Sequence, residues 1–312
     1  MSFAPFPIDA ELTSLVIAYS NGKMIADNVF PILPSVGKEE YEYWKFDFTE
    51  SYTIPDTLVG RKSAPNEVEF SAQKVTSSTK DYGLEDPIPL KDIENARGSG
   101  YDPIQHAAVG LADLLILDRE LRVANIAFNP ANYGSNTMPL TGASRFDHPD
   151  SNPIDIMHGI MDDMLVRPNC MAIGRRDWSA LTRNPAVLRA YHGADSDKGR
   201  APMEFIKDVL ELEEIYVGEA WVNNARRGQT PSKARAWGGS CLLFVKDKMA
   251  NPVVSGARST FAFTQPFRDR IAGQTPDPNI GLYGGVRIRV GWSLDEKIAA
   301  ADLGFLLTTV TG

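Results

Sequence analysis

Most of what marks an enzyme or a nucleic-acid binder is missing from this chain. Only two cysteines, Cys170 and Cys241, occur in 312 residues, each inside an apolar run. That excludes a disulfide framework or a zinc-ribbon site and predicts buried thiols in a cytosolic setting. Lys and Arg number 32 against 40 Asp and Glu, a net charge of −8. A protein that grips phosphates needs the opposite balance. No apolar run is long enough to cross a bilayer, and no basic segment leads into an apolar one at the N-terminus, so no membrane role is expected. There is no Gly-x-x-x-x-Gly-Lys-Ser/Thr loop and no Gly-x-Ser-x-Gly elbow. The four histidines, His106, His148, His158 and His192, stand in no metal-ligand spacing. Asp147-His148-x-Asp150 comes nearest to a metal loop. In Asp195-Ser196-Asp197-Lys198-Gly199 the glycine falls one position early for a calcium loop, and Ile206 stands where the bidentate Glu belongs. No catalysis, cofactor or metal is therefore expected.

What is present is patterned. With 43% hydrophobic and 23% charged residues, the chain can bury one large core or two smaller ones. Leu12, Leu15, Val16 and Tyr19 share one helical face, and Pro31 and Pro34 predict extended backbone, not helix, over 25–34. Residues 39–48 alternate charged with aromatic (Tyr41, Tyr43, Trp44, Phe46, Phe48), and 67–77 alternate again. The pair predicts an outstretched hairpin with a long polar tip, in need of cover for its aromatic face from its own domain or from a partner. Asp102-Pro103 starts a helix by cap and N1 proline, and apolar spacing through Ile104, Ala107, Ala108, Leu111, Leu114, Leu115, Ala124 and Phe128 runs to Asn129-Pro130. A spine of about 40 Å follows at 1.5 Å per residue.

Beyond a Gly/Asn/Pro-rich loop the sequence predicts a helix at 153–165 and a compact α/β segment. Its parts are strands at 170–173, 214–222 and 240–245, and helices at 175–183, 186–191 and 201–210. A polar turn at 223–232 carries Arg226-Arg227. The tail alternates through Val286, Ile288 and Val290, turns at 293–297 and ends in a strand near 305–310. The order is α+β: an elongated part with hairpin and spine, then a compact part after about residue 165.

The order of these parts, and the segments Ile25-Ala26-Asp27, Phe30-Pro31, Arg61-Lys62-Ser63-Ala64-Pro65, Arg119-Glu120-Leu121-Arg122 and Trp221 through Phe244, resemble the major capsid proteins of tailed bacteriophages. The resemblance implies the Hong Kong 97-like fold. Its parts would be an N-terminal arm (1–36), an extended E-loop hairpin (37–85), a peripheral domain with spine helix (86–165, helix 102–129) and a mainly axial domain (166–312) with some strands returning to the peripheral one. It also implies self-assembly into pentamers and hexamers as an icosahedral head. That head would form in the host cytoplasm around double-stranded DNA, with a separate scaffolding protein, a portal and a cement protein as further partners. Trp44, Phe46, Arg61, Lys62, Arg119, Glu120, Arg226 and Arg227 are the expected subunit-interface residues. Covalent linkage through Lys62, Lys74 or Lys80 is not expected. An encapsulin-like nanocompartment is the alternative of similar fold.

Overall fold

The computed structural model describes residues 6–46, 53–67, 72–193, 198–226, 228–254 and 260–312. Residues 47–48 and 68–71 of the two expected strands, 195–197 of the calcium-like turn, and Arg227 lie outside them. The first described residues run along a strand, Ile8 bridging Gly273. Asp9 then starts Ala10–Ala18 (α1), its carboxylate accepting from the N–H groups of Glu11 and Leu12. A Cβ at position 273 would stand 2.2 Å from the Pro7 carbonyl oxygen, so the arm lies this close only over glycine. Gly273→Ala is expected to lift residues 6–8 from the strand at a cost of about 1–3 kcal/mol. Limited proteolysis would read this as faster cleavage in the arm, and an unchanged cleavage rate would contradict it.

Residues 25–34 are not extended throughout, as the prolines predict. One helical turn forms at Ala26–Val29 (α2), because the buried Glu120 carboxylate accepts the N–H groups of Ile25 and Ala26, each at 2.8 Å. An anion at these orphan donors favours a helix start. From Pro31 onward the backbone is extended: Ile32 bridges Thr264 in parallel, and the Leu33 N–H donates to the Thr264 carbonyl at 2.9 Å.

Glu40–Phe46 (β1) and Ala72–Ser78 (β2) form the expected antiparallel hairpin, with Glu40 opposite Ser78 and Phe46 opposite Ala72. Lys80–Pro89 (β3) is a strand the sequence hides, since it carries two prolines and turns nearly every residue outward. An edge strand tolerates both. Leu90–Ala96 (α3) leads to the spine, Pro103–Ala127 (α4), whose cap Asp102 accepts from Ile104 and Gln105. Its 25 residues span about 37 Å.

The remaining elements are Thr137–Pro139 (β4), Pro153–Asp163 (α5), Cys170–Gly174 (β5), Arg175–Leu181 (α6), Pro185–His192 (α7) and Met203–Val209 (α8). Glu214–Gly218 (β6) and Trp221–Asn223 (β7) divide what the sequence presents as one strand, and β7 instead pairs with Lys233–Arg235 (β8). Ser240–Phe244 (β9), Ala262–Pro266 (β10), Ile271–Asp277 (β11), Gly285–Ile298 (β12) and Gly304–Thr308 (β13) complete the described strands. The expected turn at 293–297 is instead the end of β12, pairing there with β10. Its polar residues are held by distant groups: the Asp295 carboxylate accepts from the Tyr41 and Ser77 hydroxyls at 2.9 and 2.6 Å.

Two sheets organise the molecule. In one, β12 pairs with β3 along one edge and with β11 and β10 along the other. In the second the order is β4-β13-β9-β5-β6, with every residue of β5 and β9 buried. The spine serves two cores. Its first half packs Ala107, Ala108 and Leu111 with α1, Ile288 and Val290, while its second half packs Val123, Ala124 and Ala127 with Phe30, Trp237 and Phe261. Leu114, expected on the apolar face, is 54% exposed.

Both cysteines lie in the second sheet, buried and unpaired. Burial pushes the Cys170 thiol up to about 12 and raises Cys241 as well. Neither offers a thiolate near neutrality. Iodoacetamide at pH 8 is expected to label neither thiol in the folded protein and both after denaturation. Labelling of the native protein would contradict this packing.

Candidate functional site

The hairpin reaches out from a root that its own subunit covers. Tyr41 and Tyr43 alternate onto one face and are buried, packed with Phe263 and Ala299; the Tyr43 and Phe263 rings meet edge to face at 5.4 Å. Burial, reinforced by the neighbouring Asp295 carboxylate, raises the Tyr41 hydroxyl well above its ordinary value. The next residue, Trp44, begins the opposite face. Its N–H donates to Pro252 at 3.0 Å, and the Lys74 ammonium lies 5.0 Å over its ring while pairing with Glu42 at 2.8 Å. Phe46 ends β1 opposite Ala72.

Residues 53–67 form the tip, and all of them are exposed. The tip has internal order: the Asp56 carboxylate accepts from Leu58 N–H at 2.9 Å, the Asn66 side chain donates across the loop to the Asp56 carbonyl at 2.7 Å, and Ser63 N–H donates to Gly60 at 3.0 Å. Asx and β-turn bonds of this kind need no core. Arg61 and Lys62 follow Gly60 in that turn. Ile54 is 90% exposed and Leu58 84%.

Arg119 and Glu120 occupy a different place. They are 3% and 0% exposed, inside the subunit. Glu120 joins three parts of the chain, accepting from Ile25 and Ala26 of the arm and from the Trp237 indole N–H at 2.6 Å. Burial raises its carboxyl above the ordinary value, outweighing these donors and the Arg119 charge. Arg119 pairs with Asp27, donates to Phe30 and Thr264 at 3.2 and 2.9 Å, and stands 3.9 Å from Glu296. Arg122 holds Glu296 at 2.9 Å and lies 3.6 Å over the Tyr82 ring. A polar hub thus locks the arm, the spine and β12 together, and the hairpin root is tied to β12 beside it through Asp295.

Arg226 is exposed in the turn between β7 and β8. Sequence reasoning passed over its neighbours Trp221 and Arg235: Trp221 is 51% exposed with the Arg235 guanidinium 3.9 Å over its ring. Their pairing across β7 and β8 is the signal, Trp221 standing opposite Arg235. In the histidine loop, Asp147 accepts the Gly312 N–H at 3.0 Å and the His148 ring accepts from Asp150 N–H at 3.2 Å. Among the described residues no group of three or more His, Cys, Asp or Glu could hold a metal.

No family model matches the chain. It is 48% identical over 306 residues to the major capsid protein of Pseudomonas phage JBD67, covering 98% of this chain and 97% of that one. In structure it is similar to a phage-related protein from Bordetella bronchiseptica RB50, with TM-score 0.74 and 20% identity over 98% and 99% of the two chains. It is also similar to the capsid of cyanophage P-SCSP1u, with TM-score 0.58 and 12% identity over 99% and 92%. At such identities the structural likenesses speak for the fold, which is α+β and Hong Kong 97-like. With 48% identity along almost its whole length, the chain belongs to the major capsid proteins of phages.

Proposed function

We propose that this capsid protein assembles with itself as pentamers and hexamers into the icosahedral head of a tailed phage, enclosing packaged double-stranded DNA without reading its sequence. Residues 1–36 act as the arm, 37–85 as the E-loop, 86–165 as the peripheral domain and 166–312 mainly as the axial domain. The observation that carries this reading is the hairpin tip. It exposes Ile54 and Leu58 almost fully, with Val59 exposed beside them, an apolar cluster of the kind that interaction surfaces carry. Trp44, Phe46, Arg61, Lys62, Arg226 and Arg227 would meet neighbouring copies. Arg119 and Glu120 would act on those contacts from within, by fixing the arm on the spine. The net acidic charge fits a container that must not adhere to its DNA. Assembly in the host cytoplasm, with a separate scaffolding protein, a portal and a cement protein, completes the reading. No helix among the described residues is long and apolar enough to cross a membrane.

The phage relatives favour this reading over an encapsulin-like compartment. Negative-stain microscopy and sedimentation of the purified chain, alone and with the products of neighbouring genes, test it. Closed shells or capsomer rings are expected. A monomer or dimer in every condition would overturn it.

A further inference from the structure

We infer that the hairpin of β7 and β8 is a phosphate-binding surface through which each subunit touches the double-stranded DNA it encloses. From Ala220 to Trp237 the chain carries no acidic residue, while Arg226, Arg227, Lys233 and Arg235 fall within it. Arg226 and Lys233 are exposed, and neither is ion-paired among the described residues. The carboxylate that precedes the hairpin, Glu219, is taken by Arg175 at 3.4 Å.

The cations stand on an ordered support. The Asn223 side-chain oxygen accepts the N–H groups of Ala225 and Ser232 at 3.1 and 2.9 Å, and the Gln229 N–H donates to the Arg226 carbonyl at 3.0 Å. The turn that carries Arg226 is thereby closed from both strands. Arg235 donates to the Glu219 carbonyl at 3.0 Å and lies 3.9 Å over the Trp221 ring. At the base Trp237 is buried and donates to Glu120, which ties the hairpin to the polar hub. Groups already fixed lose little freedom on binding.

The groups around the cations select the partner. Asn223, Asn224, Gln229, Thr230 and Ser232 are exposed and offer hydrogen bonds. Among the described residues of the hairpin, Trp221 is the exposed large apolar side chain, and one face of its ring already carries Arg235. A protein interface is built around an apolar core, whereas a phosphate backbone is met by cations and polar donors. Where assembly brings the hairpins of neighbouring copies together, like charges would face one another, and a polyanion between them relieves the repulsion. The net charge of −8 does not oppose a local contact, because exposed charges more than about 8–10 Å away are screened at physiological salt. The acidic remainder of the chain instead confines the contact to the hairpin.

The inference rests on the self-assembly reading, which supplies the duplex, and names where the subunit meets it. The test is fluorescence anisotropy of a labelled duplex of about 30 base pairs, titrated with the full chain below its assembly concentration in about 50–200 mM salt. Arg226→Glu with Lys233→Glu is expected to lower the affinity at least about tenfold, and Arg226→Gln with Lys233→Gln to flatten the slope of log K against log salt by about 2. Lys23→Glu with Arg97→Glu changes the net charge as much at exposed positions outside the hairpin, and should lower the affinity less than about twofold. Thermal midpoints should stay unchanged in all three variants, and sedimentation reads shell formation in parallel.

Equal losses in the hairpin and control pairs would overturn the assignment, as would an unaltered chain that forms shells but binds no duplex at the lowest salt. Tighter binding of a single strand, with that preference lost in Trp221→Ala, would overturn the duplex as partner. Hairpin variants that keep their DNA affinity and lose shells would give the hairpin to contacts between copies. Each of these results leaves self-assembly standing. Failure of the unaltered chain to form shells in any condition would instead overturn the self-assembly reading and, with no enclosed duplex, the partner named here.

Discussion

Replacing Glu120 with Ala is expected to cost the subunit about 3–5 kcal/mol, the range for removing one partner from a buried charged network. The side chain is wholly buried and satisfies the N–H groups of Ile25, Ala26 and Trp237. Alanine orphans all three and leaves Arg119 with one carboxylate fewer nearby. Glutamine keeps the volume but turns an amide N–H toward one of the donors, so an intermediate loss is expected. Denaturant titration of the two variants measures both effects, and a loss below about 1 kcal/mol for the alanine variant would contradict the hub.

The same carboxyl gives a pH dependence of definite sign. Its folded value lies above the ordinary 4.5, so the unfolded chain ionises first as the pH rises. Between the ordinary and the raised value the folded state holds the extra proton. Glu120's contribution is therefore fully present below the ordinary value and is lost as the pH climbs through the raised one. The glutamine variant cannot ionise and should lose this component of the stability profile. An identical pH dependence in both proteins would place the raised group elsewhere.

Ile54→Asp combined with Leu58→Asp is expected to leave the isolated subunit unchanged within about 0.5 kcal/mol, as for other exposed positions, and to abolish assembly. Each apolar side chain buried between copies contributes about 1.5–3 kcal/mol. Losing two weakens each contact by a factor on the order of 10² to 10⁴. The prediction separates fold from function, because the described tip residues are all exposed. Light scattering through an assembly titration reads the effect. Shells forming at the same protein concentration would show that the tip is not an assembly surface.

How far the sequence revealed this molecule depends on where each element's partners lie. The spine was legible because its signals are local: Asp102-Pro103 begins it and Asn129-Pro130 follows it. The hairpin was legible from alternation, and the phase change between Tyr43 and Trp44 marks where one face turns to its own core and the other away from it. The end of β12 was not legible, since Asp295 and Glu296 look like turn residues until Tyr41, Ser77 and Arg122 arrive from distant segments to satisfy them. Strand β10 is hidden for the same reason. Its buried Gln265 donates to the Pro34 carbonyl at 2.8 Å, and its Thr264 donates to the Phe30 carbonyl at 3.1 Å.

Of the site, the tip was placed correctly in the chain by its turn residues alone. Arg119 and Glu120 carried a signal that charge obscured. They stand seven and eight residues after Ala112 and four before Val123 and Ala124, on the buried stripe of the helix. Charged residues in phase with a buried stripe belong to an internal network before they belong to an interface.

The most direct measurement is a cryo-EM reconstruction of particles assembled from the full chain. The expected result is a closed icosahedral shell in which residues 53–67 of each subunit lie against a neighbouring copy. Subunits that stay monomeric at every concentration and with every partner, or shells whose tips project into solvent, would contradict the account.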